Sequence, residues 1–442
     1  MVSLSDPMVV GLLYTAIFAI FIFLMATKRI SMIIALPLMG ICLGLASNAS
    51  LAEIYTGISD GAVMYGVAAL QIVEAMWFGY FMIKSGIAEM IIKKTVELGG
   101  DKPFLITVLA FLACCFVYMG IYGIGGYATM ALIVVPILKS VGVTPVMSAW
   151  VILGACAVGQ LFNGFDWPGY TTFFGADYAK TFPVGVIAAV CTGATFLLVT
   201  AYQFKRSGIS MFDGAKSATP SVKPITSVTR RVPFYALIGP AIPIILLVVF
   251  NTPFQIAFLG ALLFLFFATL TKEQLSWKGF QRHTDLAAGS LLDGVREVGP
   301  ALGFYVGGGI LLGILGRPVV SAAMKGFFGL LFPADPFWIF ITMALLAPTG
   351  LYRGPLNRLN TVLGQYFITN KLLTPTQYLA SWFAVRPLYQ IDPTHSQNMW
   401  LASYTGADGT DWVKKGFVAL WALSFILAIV LYFATFGGLV PA

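Results

Sequence analysis

The chain has 442 residues, 59% of them hydrophobic and only 10% charged, with a formal net charge of +8. Soluble globular proteins carry about 25% charged residues, so this composition excludes a secreted, cytosolic or disordered protein. Apolar stretches long enough to cross a bilayer follow one another along the chain, which reads as an all-α polytopic integral membrane protein.

The basic excess lies in loops between apolar runs, where the positive-inside rule places it, so the charge gives no nucleic-acid reading. Cys42, Cys114, Cys115, Cys156 and Cys191 lie in apolar segments without a CxxC and read as small core residues. His283 and His395 are the only histidines, too few for a multi-histidine metal site, and no cofactor is expected.

The first apolar run, 8–25, follows Asp6 and precedes Lys28 and Arg29, without an A-x-A cleavage pattern. It reads as a retained helix with its N-terminus outside. Further runs lie near 30–47, 62–83, 104–119, 128–142, 146–162 and 184–203. A polar linker at 204–233, rich in Ser, Thr, Pro and basic residues, separates them from runs near 235–251, 254–270, 299–315, 327–348, 361–373, 376–389 and 416–435. The chain thus divides into a first repeat, 1–203, the cytoplasmic linker, and a second repeat, 234–442.

The two halves share a pattern. Gly79 and Gly309, Gly86 and Gly316, Gly120 and Gly350, and Thr144 and Thr374 are each 230 residues apart. Asp60-Gly61 and Asp293-Gly294 match at an offset of 233, and both aspartates read as caps of interfacial helices. Basic residues after 8–25, in the linker, at Lys272, Lys278 and Arg282, and at Lys414 and Lys415 mark cytoplasmic loops. Span 8–25 then runs outward-to-inward and its mate 235–251 the opposite way, with the C-terminus outside. Repeats of opposite orientation are characteristic of secondary transporters.

Each repeat contains an apolar–polar–apolar stretch that reads as a re-entrant hairpin, about 104–142 and about 336–373. A broken helix follows each, about 146–180 and about 376–412, interrupted at "NGFDWPG" and "QIDPTHSQN". Exposed backbone at membrane depth is tolerated only where protein buries it or where it lines a cavity, so the breaks predict a polar site near the midplane.

Candidate substrate-binding residues follow. Gly123, Gly125 and Gly126 at the first hairpin tip let backbone N–H groups approach a ligand, and the adjoining helix start favours an anion. Tyr122, Thr129 and Asn163 add side-chain donors. Arg353 at the second tip offers a guanidinium fork to a carboxylate; the competing reading is that it snorkels to the interface or pairs with a structural acid. Asn357, Asn360, Thr361 and Thr394 line the same breaks, while Arg358 and Arg386 read as structural. For ion coupling by H⁺ or Na⁺, Asp166 and Asp392 lie in the helix breaks, His395 beside the second, and Glu74 within an apolar helix. The alternative for the two aspartates is helix capping.

On these residues the chain resembles the ion transporter superfamily. It is most similar to the citrate–metal–proton symporter (CitMHS) family, and more distantly to gluconate permeases and TRAP-transporter large subunits. The stretches "FLMATKRISMIIALPLMGICLGL", "FGYFMIKSGIAEMIIKKTVELGGDKP", "ATMALIVVPILKSVGVTPVMSAW" and "GADGTDWVKKGFVALWAL" carry the likeness, with Asn163 and Trp167-Pro168-Gly169 resembling the first break motif. The resemblance implies inverted repeats, a homodimer with a moving transport unit, and proton-coupled carboxylate import in a bacterial inner membrane. It also implies acidic hairpin tips, whereas this chain has "GIYGIGGYAT" and "GLYRGPLN". That departure points to a free carboxylate substrate and no bound metal. The alternatives are a cation/proton antiporter of the same superfamily and, in a different class, an intramembrane enzyme acting on a lipid. The enzyme reading lacks an acidic metal pair, a His-rich site or a Ser/Lys pair.

Overall fold

The computed structural model describes residues 7–26, 29–209, 232–348, 363–393 and 395–440. Among them there is no strand. The first half forms α1 (Pro7–Ala26), α2 (Met32–Ala46), α3 (Leu51–Ser85), α4 (Ile87–Glu97), α5 (Pro103–Tyr118), α6 (Gly123–Ser140), α7 (Pro145–Gly159), α8 (Trp167–Phe174) and α9 (Tyr178–Arg206). The second forms α10 (Ala241–Val248), α11 (Phe254–Ala268), α12 (Trp277–Leu315), α13 (Pro318–Leu331), α14 (Pro336–Leu346), α15 (363–369), α16 (Pro375–Tyr389), α17 (Ser396–Thr405) and α18 (Gly409–Phe436).

Among the described residues, α3, α6, α9, α18 and the stretch Pro145–Phe162 are long and apolar enough to cross a membrane. Leu198 of α9 and Val418 of α18 are 70% and 75% exposed, as side chains facing lipid are. The chain is an integral membrane protein. Pro145–Phe162 is 89% buried, against 33% for the apolar window of α9, so α7 is an interior helix wrapped by protein.

The order of elements from α3 to α9 recurs from α12 to α18. Each series opens on a very long helix, 35 residues in α3 and 39 in α12, and closes on one of 29 or 28 residues. Near its middle, α7 and α16 both start from a Thr-Pro pair, with the Thr144 and Thr374 hydroxyls accepting from the backbone N–H three residues on. Proline tolerates this first helical position because its missing N–H would have no helical partner there.

The two long helices lie against each other in opposite directions: Gly57 meets Gly313, Gly61 meets Gly309 and Met76 meets Gly294. Their contact is backbone on backbone. A Cβ at Gly61 would stand 2.2 Å from the Gly309 carbonyl oxygen, and one at Gly313 would stand 2.0 Å from that of Gly57. Small residues four apart on both helices permit this approach where apolar side-chain burial gives no drive in lipid.

The structure extends or corrects several expectations. Helix α4 does not stand out as an apolar run because it is amphipathic: Ile87, Ala88, Ile91, Ile92 and Val96 are buried while Glu89 and Lys93 pair along its flank. Helix α12 begins at Trp277, well before the apolar run near 299, because its first turns are polar. Asp60 and Asp293 do not cap helices. They lie inside α3 and α12 and form ion pairs across the two halves, Asp60 with Arg317 at 2.6 Å and Asp293 with Lys84 at 2.5 Å. Most of the linker, 210–231, lies outside the described residues.

Candidate functional site

The first candidate hairpin is two helices joined by a tight turn. Helix α5 ends at Tyr118, and α6 begins at Gly123 with φ of +77°, a left-handed conformation that glycine adopts without a Cβ clash. The turn is buried against α3. A Cβ at Gly79 would lie 2.5 Å from the Gly120 carbonyl oxygen, and one at Gly120 would lie 2.4 Å from the end of Met82.

Next to this turn the α7 helix comes apart. It tightens into a 3-10 turn over Gln160–Phe162, leaves helical geometry at Asn163, and resumes as α8 at Trp167 with Pro168 in its first turn. Asn163 fastens the break to the hairpin. Its Nδ2 donates to the carbonyls of Tyr118 and, at 2.7 Å, Ile121, while its Oδ1 accepts from the Phe165 N–H at 2.8 Å. One buried side chain thereby satisfies backbone groups that helix ends leave open on two elements. The Tyr122 ring stacks on Phe165 with centroids 3.7 Å apart and planes 10° from parallel. Between the turn, residues 163–165, α3 and Phe258 lies a narrow cleft that in this conformation does not admit a water molecule.

The second break is built alike. Asn398 Nδ2 donates to the carbonyls of Gln390 and Asp392, each at 2.8 Å. The Leu161 carbonyl accepts from the Trp167 indole at 2.9 Å, and the Ile391 carbonyl, 230 residues on, accepts from the Trp412 indole at 3.2 Å. Gln390 Nε2 donates to the Tyr127 hydroxyl, linking this break to α6. Asp392 is fully buried.

Charge is distributed unevenly around the breaks. Asp166 at the start of α8 pairs with Arg386 of α16 at 2.5 Å, with side chains 17% and 8% exposed. The guanidinium also lies 5.8 Å from the centre of the Tyr170 ring. Arg386 thus joins the first break to the broken helix of the second half. Glu74 stands one residue before Ala75 and Met76, which line the cleft; it is buried, and its Oε2 has no hydrogen-bond partner.

Of the sequence candidates, Tyr122, Gly123, Gly125, Gly126 and Asn163 come together at the turn and the break. Thr129 lies one helical turn deeper, its hydroxyl donating to the Gly125 carbonyl at 2.9 Å. Asp166 and His395 occupy the N-cap positions of α8 and α17 without a side-chain capping bond. Arg353, Asn357, Asn360, Thr361 and Thr394 lie outside the described residues. No group of three His, Cys, Asp or Glu side chains converges among the described residues. Sequence reasoning missed Glu297 of α12, whose carboxylate accepts from the Ile124 N–H at 2.6 Å. It precedes the apolar run of its helix, and no local spacing marks it.

No family model and no curated protein matches the chain. A solved structure does, that of the Alcanivorax borkumensis YdaH transporter, described as having an unusual topology. The likeness has a TM-score of 0.60 and covers 87% of this chain and 89% of that one at 13% identity. The chain shares the fold of that transporter. At this identity the likeness reaches the fold and stops there.

Proposed function

We propose that the protein is a secondary active transporter of a small organic anion, a di- or tricarboxylate or another carboxylate, in symport with H⁺ or Na⁺. The observation that carries this reading is the glycine-rich start of α6, held by Asn163 against the break in α7. The first-turn N–H groups of a helix and the positive end of its dipole lie there, the arrangement that discontinuous transporter helices turn toward anionic substrates. The reading is favoured by the transporter fold and by the resemblance to carboxylate symporters of the CitMHS family.

In this reading the turn residues Tyr122 to Gly126 hold one carboxylate, and Thr129 and Asn163 position the turn. Arg353 supplies a guanidinium to a second carboxylate, with Asn357, Asn360, Thr361 and Thr394 around it. Glu74 is the first group assigned to coupling, because a buried carboxylate without a partner is stable in hydrocarbon surroundings when it holds a proton or a cation. Asp166, Asp392 and His395 complete the coupling set. The antiparallel long helices form the scaffold, the hairpins and broken helices move in an elevator motion, and the protein works as a homodimer in a bacterial inner membrane with both termini outside.

The test is uptake of labelled succinate and citrate into proteoliposomes under an imposed Na⁺ or H⁺ gradient. Uptake that needs one gradient and falls at least tenfold in Arg353→Ala is expected. Absence of uptake for every carboxylate under both gradients overturns the reading, and cation exchange without anion movement replaces it with an antiporter.

A further inference from the structure

Glu74 stands near the middle of the apolar run 62–83 of α3, where a charged side chain is most costly. It is 9% exposed, and its Oε2 is buried without a hydrogen-bond partner. The fold does not ask for an acid there. At the offset of 230 that relates the halves, the matched position of α12 holds Phe304. Gln71, one turn earlier on the same face, is also buried, and the run 62–83 has no other amide or charge.

No neighbouring charge balances Glu74. Helix α11, packed on α3 through the Phe78–Phe258 ring contact, has no ionisable residue. On α12, Asp293 pairs with Lys84 and Arg296, and Glu297 accepts from the Ile124 N–H. On α8, Tyr170 lies against the Arg386 guanidinium that pairs with Asp166. On α4, Lys93 pairs with Glu89 and Lys94 with Glu97. A carboxylate left alone in such surroundings gives up its charge.

Either a metal cation or a proton neutralises it. A sodium ion in a transporter is held by main-chain carbonyls that an unwound helix sets free. Glu74 lies inside an unbroken helix, and α11 beside it is unbroken too, so their carbonyls are spent on helix bonds. No group of three His, Cys, Asp or Glu side chains gathers among the described residues. A proton needs no such cage.

We propose that Glu74 binds a proton and is neutral in this conformation, which makes H⁺ the ion coupled to transport. This deepens the symport reading above and rests on it. The next residue, Ala75, touches the first helix break: a Cβ at Gly164 would stand 3.2 Å from the Ala75 Cβ. Parting of the break from α3 admits water beside the acid and lets the proton exchange; closing traps it.

The experiment treats the full-length protein in proteoliposomes with dicyclohexylcarbodiimide, an apolar reagent that adds to a carboxylic acid and not to a carboxylate, and maps the product by peptide mass spectrometry. Wild-type Glu74 is expected to be modified, at a rate that Na⁺ does not change and that falls about tenfold for each pH unit above its titration point. Uptake of labelled succinate and citrate under an inward proton gradient is expected to fall about tenfold or more in Glu74→Gln. Glu74→Phe, which copies the matched position, is expected to stay folded on size-exclusion chromatography and to lose the same uptake, as a purely structural acid would not. Resistance of Glu74 to the reagent at every pH, or protection by Na⁺, overturns the proposal. So does uptake that a sodium gradient drives and Glu74→Gln retains. If no carboxylate is taken up at all, the organic-anion reading fails by itself, and the pH profile of labelling still decides whether Glu74 holds a proton.

Discussion

Asp60 of α3 and Asp293 of α12 each pair with a cation of the other half: Asp60 with Arg317, just past the end of α12, and Asp293 with Lys84, in the last turn of α3. The contact between the two longest helices is thus bracketed by the same device, used twice in opposite directions. The pairs are half-exposed, with Asp60 at 53% and Lys84 at 32%, so solvent screens them. A double-mutant cycle on Lys84→Met and Asp293→Asn, read by thermal unfolding in detergent, is expected to give a coupling of about 0.2–1 kcal/mol. Their use is in setting register. Exchanging the charges, Lys84→Asp with Asp293→Lys, should restore most of what either change alone removes.

The glycines at the crossing of α3 and α12 are a firmer constraint. At Gly61 and Gly313 an added methyl meets backbone, which cannot rotate away. Gly61→Ala is expected to cost about 1–3 kcal/mol, the range for overpacking a tight contact. Gly66→Ala, where nothing stands within 4 Å, is the control and should be neutral or slightly stabilising. Equal loss of folded protein in both variants on size-exclusion chromatography would count against the crossing described here.

Asn163 makes three hydrogen bonds within two elements, so truncation leaves buried backbone groups open. Asn163→Ala should destabilise by about 1–3 kcal/mol per group left unpaired. Asn163→Asp should be no better, because its carboxylate faces the Tyr118 and Ile121 carbonyls where the amide donated. A stable, fully active Asn163→Asp protein would remove the fastening role.

Asp166 and Arg386 form the most enclosed ion pair among the described residues. Removing the cation alone strands a buried carboxylate, and Arg386→Met is expected to cost about 3–5 kcal/mol. The double change Asp166→Asn, Arg386→Met should recover most of that loss, because an apolar replacement of a whole buried pair is often close to neutral. If the double variant unfolds as readily as the single, Arg386 acts through packing on Tyr170 and not through charge.

What could be read from the chain beforehand divides along physical lines. The apolar runs, the shared offset between halves and the breaks in α7 and α16 are local or periodic features, and all-α architecture follows from them. Helix α4 escaped because hydropathy averages over an amphipathic helix and cancels its two faces. The pairing of Asp60 escaped because its partner lies 257 residues away, a distance that only the antiparallel packing of α3 and α12 closes. The Gly57–Gly313 and Gly61–Gly309 contacts escaped for a related reason. A repeat search aligns positions that rise together, whereas these contacts join positions that rise on one helix and fall on the other. At the candidate site, Tyr122 and Asn163 were identifiable by residue type beside a break. Glu297 was not, since a polar helix start offers nothing to single out one acid from its neighbours.

Because a single amide clips the interrupted helix onto the hairpin's bend, neither piece can shift alone without exposing raw main chain to hydrocarbon. In the transporter proposed above, the two pieces would travel as one block, with the solute carried along and not passed from hand to hand. The freedom such a journey requires must lie at the block's outer seams, where it meets the long crossed pair.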